Sequence, residues 1–405
     1  MVPHWTIVVT MKPLLHGVRV LDLSRALAGP LCTSLLADFG ADIIKVESIG
    51  RGDSSRQWPP FDGSDSLYFA SVNRSKRSVA LDMRTDEGRK LLRRMASEVD
   101  VIVENFRPGV LAAMGLDQDS LRRDNPGVIV MSVSGFGPTG PDRFAPGLDQ
   151  VAQGMSGLMS VTGGGDDTPM RVGVPIIDTV SGIYAALGIT AALVARSRDG
   201  EGHHVQTSLI ESALSIMTFQ AQDYLSTGRV SEPNGNTHPT ITPYGCFDTA
   251  DYPIIIATGS DKHWEALCVV LGDPDLAKRP DYATGVSRLE HRDTLTKELL
   301  ELLSHRSAAE WVTAMRSAGI PCGPVHSIDQ AFADPQVQAL DMVQKLTTPD
   351  GKDLPLLRGP FWVDSETLPI RNAPPMVLGQ DTDAVLAEFG VGEAELDGLH
   401  RAGVI

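Results

Sequence analysis

Apolar and polar positions follow two rhythms along the first half of the chain. Short apolar, β-branched runs bounded by Gly, Pro or Asp predict strands over residues 18–23, 43–47, 101–105, 128–133 and 204–209. Between them, apolar residues recur every three or four positions. That spacing predicts helices over residues 29–39, 86–99, 150–159 and 178–198. Gly29-Pro30 suits a helix start, and Gly40 suits its stop. Strands alternating with helices predict an α/β fold, a parallel sheet with helices on both faces. Ligands of such sheets sit beyond the carboxyl ends of the strands.

The rhythm breaks over residues 134–175, where Gly and Pro are dense, and again over the linker-like residues 228–245. A second α/β segment follows, with a strand at 254–257 and helices near 261–271, 289–303 and 307–318. Pro321, Pro324, Pro335 and the proline-rich stretch 349–375 suggest an extended return toward the first domain. A last helix is predicted over 381–389.

Length and charge narrow the classes. The 405 residues allow two or three domains, and 42% hydrophobic with 21% charged residues is ordinary globular composition. A net charge of −16 disfavours a nucleic-acid coat and adsorption to anionic membranes. Cys32, Cys246, Cys268 and Cys322 form no Cys-x-x-Cys pair, which suits a reducing cytoplasm. The opening MVPHWTIVVTMKP lacks a basic leader and is a poor signal peptide, and Met11 is an alternative start. The apolar stretch 183–195 is shorter than the roughly 18–20 residues of a membrane span. The expectation is a cytoplasmic protein.

Several motifs fall to their plainer explanation. Gly135-Phe-Gly-Pro-Thr-Gly140 matches a dinucleotide fingerprint, but Pro138 and Pro141 block the helix that would hold a pyrophosphate, so a tight loop fits better. The Gly163-Gly-Gly165 run lacks a following Lys-Ser/Thr, and no Gly-x-Ser-x-Gly elbow or His-Glu-x-x-His motif occurs. Adjacent His203 and His204 point opposite ways on a strand, which disfavours joint metal binding.

Two features remain open. Between Ser71 and Arg94 eight basic residues stand against three acidic ones. Arg89 to Arg94 suit a solvated helix face, whereas Arg74, Lys76 and Arg77, in a loop before a strand, suit either that or a phosphate-rich ligand. Asp178, in Val172-Gly-Val-Pro-Ile-Ile-Asp178, is a good N-cap residue. The cap is the plainer reading, and a compatible one is a nucleophile, because a helix N-terminus would keep its carboxylate ionised to attack an activated acyl group.

These residues together resemble the class III CoA-transferase family, which includes carnitine-CoA and formyl-CoA transferases. The resemblance spans residues 14–405. It rests on Leu15-His-Gly-Val-Arg-Val-Leu-Asp-Leu23, Ala28-Gly-Pro30, Ala37-Asp-Phe-Gly-Ala-Asp-Ile-Ile-Lys-Val-Glu47, Asn73-Arg-Ser-Lys-Arg-Ser78, Val103-Glu-Asn-Phe-Arg-Pro-Gly109, Gly135-Phe-Gly-Pro-Thr-Gly-Pro141, Gly319-Ile-Pro-Cys-Gly-Pro324 and Leu378-Gly-Gln-Asp-Thr382. It implies that Asp178 is the nucleophile. The reaction would run through an acyl-aspartyl anhydride and an aspartyl-CoA thioester, with CoA and acyl-CoA as substrates and no permanent cofactor or metal.

For CoA contacts, the resemblance points to Leu27 and Ala28, to Leu81 through Arg84, and to Asn105, Phe106 and Arg107. Ser48 and Ala113 stand where formyl-CoA transferases place CoA-binding arginines, so Arg74, Arg107 and Arg143 are candidate substitutes. Asp149 matches an acidic position near the acyl site and is also a candidate helix N-cap. A Rossmann-like large domain would combine residues 1–225 with a return segment 331–405, and a small domain would cover 226–330. The family's interlocked homodimer is implied as well. The same fold hosts α-methylacyl-CoA racemases, but Gly147-Leu148-Asp149 lacks their histidine base. A non-catalytic CoA-binding protein is the other alternative, and the presence of Asp178 argues against it. Asn234-Gly-Asn-Thr-His-Pro239 resembles dicarboxylate and general acyl-CoA members, which points to succinyl-CoA as donor and disfavours oxalate as acceptor.

Overall fold

The structure is a computed structural model that describes residues 13–164, 168–348 and 351–405. Met11, Gly165 and the start of the proline-rich stretch at Pro349 lie outside the described residues. The chain forms two compact units. One takes in residues 1–158, 172–226 and 341–405, and the other residues 159–171 and 227–340.

The first unit is built on β1 (Arg19–Asp22), β2 (Asp42–Glu47), β3 (Lys76–Ala80), β4 (Val101–Glu104), β5 (Ile129–Ser134) and β6 (His204–Ser208). They form one sheet in the order β3-β2-β1-β4-β5-β6, and every pair is parallel. The strand order reverses between β1 and β4. Loops leaving these two strands diverge, which opens a crevice at their carboxyl ends.

Both faces of the central strands are covered, which is why β1, β2, β4 and β5 read as largely apolar runs. Val20, Ile43, Val101, Val103, Ile129 and Met131 pack against α1 (Ala28–Asp38) and α5 (Ile176–Asp199). Leu21, Ile44, Val79, Ile102 and Val130 face α3 (Asp86–Ala96), α9 (Thr382–Glu388) and α10 (Glu393–Arg401). The short helices α2 (Leu67–Ser71) and α4 (Asp149–Met155) lie in the connections. Helix α3 is well specified locally. Thr85 caps it by accepting from Gly88 N at 3.0 Å, with Asp86 and Glu87 in its first turn and Arg93 and Arg94 in its last.

Helix α5 has 24 residues, longer than the apolar stretch at 183–195, and is long and apolar enough by composition to cross a membrane. One stripe of it, Ile177, Ser181, Gly182, Ala185, Ile189 and Ala192, is buried. Its small residues permit close packing on α1. A Cβ at Gly182 would sit 2.7 Å from the Ala28 carbonyl oxygen.

Strand β3 differs from the pattern expected, which left Lys76 and Arg77 in a loop. Both are strand residues whose charges are neutralised. Lys76 Nζ lies 3.0 Å from Asp22, and Arg77 pairs with Asp42 and Glu388. The returning chain then seals this edge. Ser78 N donates to Asp381 at 2.8 Å and Ala80 N to Thr382 Oγ1 at 3.0 Å, so the edge strand offers no free ladder. The return is also more regular than an extended segment. It contains an antiparallel hairpin of β10 (Val343–Thr347) and β11 (Asp353–Leu357).

The second unit has an antiparallel sheet of β7 (Tyr244–Phe247), β8 (Ile254–Ala257) and β9 (Cys322–Pro324), ordered β9-β8-β7. Its helices α6 (Asp261–Leu271), α7 (Arg292–Leu303) and α8 (Ala308–Ser317) bury Trp264, Leu299 and Trp311 in a separate core.

Candidate active site

Asp178 is the third residue of α5 and is half-buried. It is not the N-cap, which is Pro175. The exposed donors of this helix start are already occupied. Ile176 N donates to Val174 O, Thr179 N donates to Pro175 O, and Ile177 N and Asp178 N both donate to Asp149 Oδ1 at 2.8 and 3.1 Å. Asp149 is the first residue of α4, so its carboxylate caps α5 rather than its own helix. Gln153, one turn on, holds Asp149 Oδ2 at 2.6 Å and accepts from Val172 N at 2.9 Å. The two ends of the connection between α4 and α5 are thereby tied to the nucleophile candidate.

This geometry reverses the expected electrostatics. A helix N-terminus should hold a carboxylate ionised, but Asp149 has taken its N–H groups. Burial first, and the like charge of Asp149 second, push the Asp178 carboxyl up from 3.8 to about 7. The Tyr68 phenol on α2 is pushed up to about 12 by burial and by the charges of Asp178, Asp149 and Asp53. It is therefore a protonated donor within electrostatic reach of Asp178. No sequence motif marks Tyr68; its significance comes only from where α2 lands.

The crevice beside β1 and β4 gathers most of the other candidates. Leu27 and Ala28 are buried at the start of α1, which has no side-chain cap. Asn105 follows β4 and bridges the crevice, with Oδ1 accepting from Arg25 N at 2.9 Å and Nδ2 donating to Arg25 O at 2.7 Å. Phe106 is half-buried, with the Arg25 guanidinium 5.3 Å from its ring, and Arg107 is exposed. Leu81 is fully buried after β3, and exposed Arg84 pairs with Asp82. Arg143 is exposed and stacks on the Phe144 ring at 4.5 Å.

The basic stretch is mostly committed to internal ion pairs. Arg74 is buried and holds Asp38 through Nε and Nη2 at 2.9 and 2.6 Å. Arg89 and Arg93 pair with Asp86 and Asp124. Its local excess of positive charge therefore does not amount to free phosphate-binding groups.

Two cavities among the described residues of this unit bear on the candidates. A cavity of about 260 Å³ beside the ends of β4 and β5 and the first half of β6 takes in Glu104, Phe106, Ser132 and His204. Ser132 Oγ is 2.9 Å from His204 Nε2, and burial holds the Glu104 carboxyl above its ordinary range. A larger one, about 810 Å³, borders Thr179 and is lined by Leu31, Leu35, Leu67, Ile183 and Phe361. Its lining is mostly apolar, with Arg74, Arg358 and Asp62 as its charged residues. Among the described residues, no cluster of three His, Cys, Asp or Glu side chains could hold a metal ion.

Residues 15–382 match the profile of CoA-transferase family III. A succinate–glutarate CoA-transferase of Agrobacterium fabrum is 41% identical over 386 residues, covering 93% of this chain and 96% of that protein. A succinyl-CoA:glutarate CoA-transferase of Homo sapiens is 36% identical over 397 residues, covering 98% and 90%. A crystal structure of a CAIB/BAIF family protein from Brucella suis superposes with a TM-score of 0.82 at 38% identity, covering 94% of this chain and all of that one.

Proposed function

The chain belongs to CoA-transferase family III, and from that premise we propose that Asp178 is the nucleophile that carries CoA from an acyl-CoA thioester to a free carboxylic acid. The observation that carries this reading is the Asp149–Asp178 arrangement at the crevice edge. A half-buried carboxyl, poised near neutrality on a residue whose backbone N–H is held by Asp149, can attack as an anion and stay activated once acylated. Asp178 attacks the thioester carbonyl, which gives a mixed anhydride and releases CoA as thiolate. The thiolate attacks the aspartyl carbonyl, giving an aspartyl-CoA thioester and the donor acid. The acceptor carboxylate then forms a second anhydride, and returning CoA takes the new acyl group. No bond energy is lost to water, because each step exchanges one activated acyl bond for another.

Succinyl-CoA as donor and a dicarboxylate such as glutarate as acceptor are the pair supported by the names of the two relatives. CoA would lie along the crevice, against the backbone of Leu27 and Ala28 and the loops at Leu81 to Arg84 and Asn105 to Arg107. Arg107 is the phosphate partner best supported by position, since it is exposed beside Phe106. Arg143 is a second free guanidinium, whereas Arg74 could reach a phosphate only by releasing Asp38. Asp149 would meet the acyl end while setting the nucleophile.

Two copies would associate, as an interlocked dimer. Its support is apolar surface left uncovered: Ile183, Leu187 and Val194 on α5 are 49%, 64% and 56% exposed, beside the 810 Å³ apolar cavity. Cytoplasmic residence fits four free cysteines.

Asp178→Ala tests the mechanism. Transfer between succinyl-CoA and glutarate should vanish while CoA binding persists, and hydroxylamine should inactivate the wild type only when acyl-CoA is present. Turnover by Asp178→Ala near the wild-type rate would refute it. A panel of acceptor acids that includes oxalate decides the acceptor, and oxalate as the preferred acid would overturn the dicarboxylate assignment.

A further inference from the structure

Beneath the crevice lies an ionic lattice that the transfer reaction does not itself use. Lys45, in the middle of β2, is fully buried, and its Nζ sits 2.9 Å from Asp53 Oδ2 and 2.9 Å from the Ser24 carbonyl. Buried Lys76 meets Asp22 at 3.0 Å, and Asp22 accepts from both Ser24 N and Ser24 Oγ. Burying this many charges is costly, so their destination matters. It is the short loop from Ser24 to Ala28.

Every backbone polar group at the start of that loop is held by a side chain from elsewhere. Ser24 N goes to Asp22 and Ser24 O to Lys45. Arg25 N and O go to Asn105. Ala26 N donates to Asp53 Oδ1 at 3.1 Å. Ala26 also has a φ of 67°, a left-handed conformation that an alanine adopts only under constraint. Asp53 is itself oriented by Ser55, whose N and Oγ both donate to Oδ1 at 2.9 Å, and its own N–H is anchored on Glu47. The next residues, Leu27 and Ala28, begin α1, and the Ala28 carbonyl touches α5 at Gly182, one turn beyond Asp178.

We propose that Asp53, held by Lys45, is a positioning residue for CoA transfer: it keeps Ala26 left-handed and thereby fixes the Leu27–Ala28 backbone relative to Asp178. This rests on the reading above, in which that backbone holds the thioester that Asp178 attacks. Misplacing the reacting carbonyl slows attack far more than it weakens CoA binding, which depends on several other loops. Glycine adopts the left-handed conformation without strain, so a glycine at position 26 needs the clamp less.

The test is steady-state transfer from succinyl-CoA to glutarate, or the pair the acceptor panel returns, by the full-length enzyme, with calorimetric binding of free CoA. Asp53→Asn keeps shape but sets an amide against the Lys45 ammonium. Its kcat should fall at least about tenfold while the Kd for CoA stays within about threefold. Adding Ala26→Gly to Asp53→Asn should recover at least about threefold of the lost kcat. Ala26→Val in the otherwise native chain, with the lattice intact, should lower kcat by a similar factor of about ten. A kcat for Asp53→Asn within about threefold of wild type overturns the proposal. So does a parallel loss of CoA binding, or the absence of rescue by glycine. If Asp53→Asn does not fold by circular dichroism, Ala26→Val decides, and normal turnover by that variant overturns the proposal. Asp178→Ala separates the two layers. Its retained activity removes the underlying mechanism, whereas its inactivity beside a normal Asp53→Asn removes only the positioning role.

Discussion

Asp149→Asn should move the acid limb of transfer to lower pH. Asp178 titrates near 7 instead of 3.8. At 1.36 kcal/mol per unit, that is about 4 kcal/mol of disfavoured charge. Burial contributes most and Asp149 the rest. Like charges at the ~4–6 Å over which neighbours shift a pKa repel by about 3–4 kcal/mol at an effective dielectric of about 20. Solvent reaching this half-buried pair reduces that to about 1–2 kcal/mol, or about one pKa unit. Asparagine keeps an oxygen for the Ile177 and Asp178 amides, so the substitution removes charge and leaves the cap. The assay is kcat/KM against pH from about 5 to about 9, whose acid limb reports the free enzyme's essential base. The limb should fall from about 7 toward about 6, so the variant keeps a larger share of its maximal rate at about pH 6. A limb that stays at about 7, or rises, would show that the charge of Asp149 does not set the titration of Asp178.

Asp178 should also cost stability. The native state holds a proton on Asp178 between about pH 4 and 7 that the unfolded chain has lost, so this carboxyl makes stability fall as pH rises through that window. Asp178→Asn should therefore be inactive yet more stable at neutral pH by about 1–2 kcal/mol after allowing for solvent, read from urea midpoints. Lys45→Met leaves Asp53 and Asp22 without their shared cation and should lower the urea-derived stability by about 3–5 kcal/mol. Asp22 works in the opposite pH direction. Burial opposes its charge, but Lys76 and Lys45 outweigh that and hold its carboxyl well below the ordinary 3.8. Its contribution is complete above about pH 4 and is lost on acidification below that, as acid unfolding curves of wild type and Asp22→Asn would show. Gly182→Val forces a side chain against the Ala28 carbonyl and should cost about 1–3 kcal/mol together with activity, by thermal melting and rate. Leu187→Glu on the exposed face of α5 should shift sedimentation toward monomer, and an unchanged mass would place the interface elsewhere.

Much of the sheet unit was legible because its signals are local. The runs at 43–47, 101–105 and 128–133 are β-branched and bounded by turn residues, and they became β2, β4 and β5. The start of β3 was misplaced, with Lys76 and Arg77 left in the loop before it, because both are unfavourable in isolation; their partners Asp22, Asp42 and Glu388 lie far away in sequence. The hairpin of β10 and β11 hid behind the prolines of the return segment for a similar reason, since its pairing lies outside any local signal. The cap at Asp178 was misplaced because the oxygen that caps α5 comes from Asp149, on another helix.

By itself the sequence determined the α/β alternation, the family and the identity of the candidate nucleophile, because these are written in periodicity and in motifs of contiguous residues. The tertiary structure decided what those residues experience. It placed Asp149 against Asp178 and so turned an expected low carboxyl pKa into one near neutrality. It also turned Arg74 and Lys76, which suited a phosphate site, into buried ion pairs. It brought Lys45 and Asp53 under a left-handed alanine, and Tyr68 within electrostatic range of Asp178. Charge and desolvation depend on neighbours in space, and a chain specifies those only once it has folded.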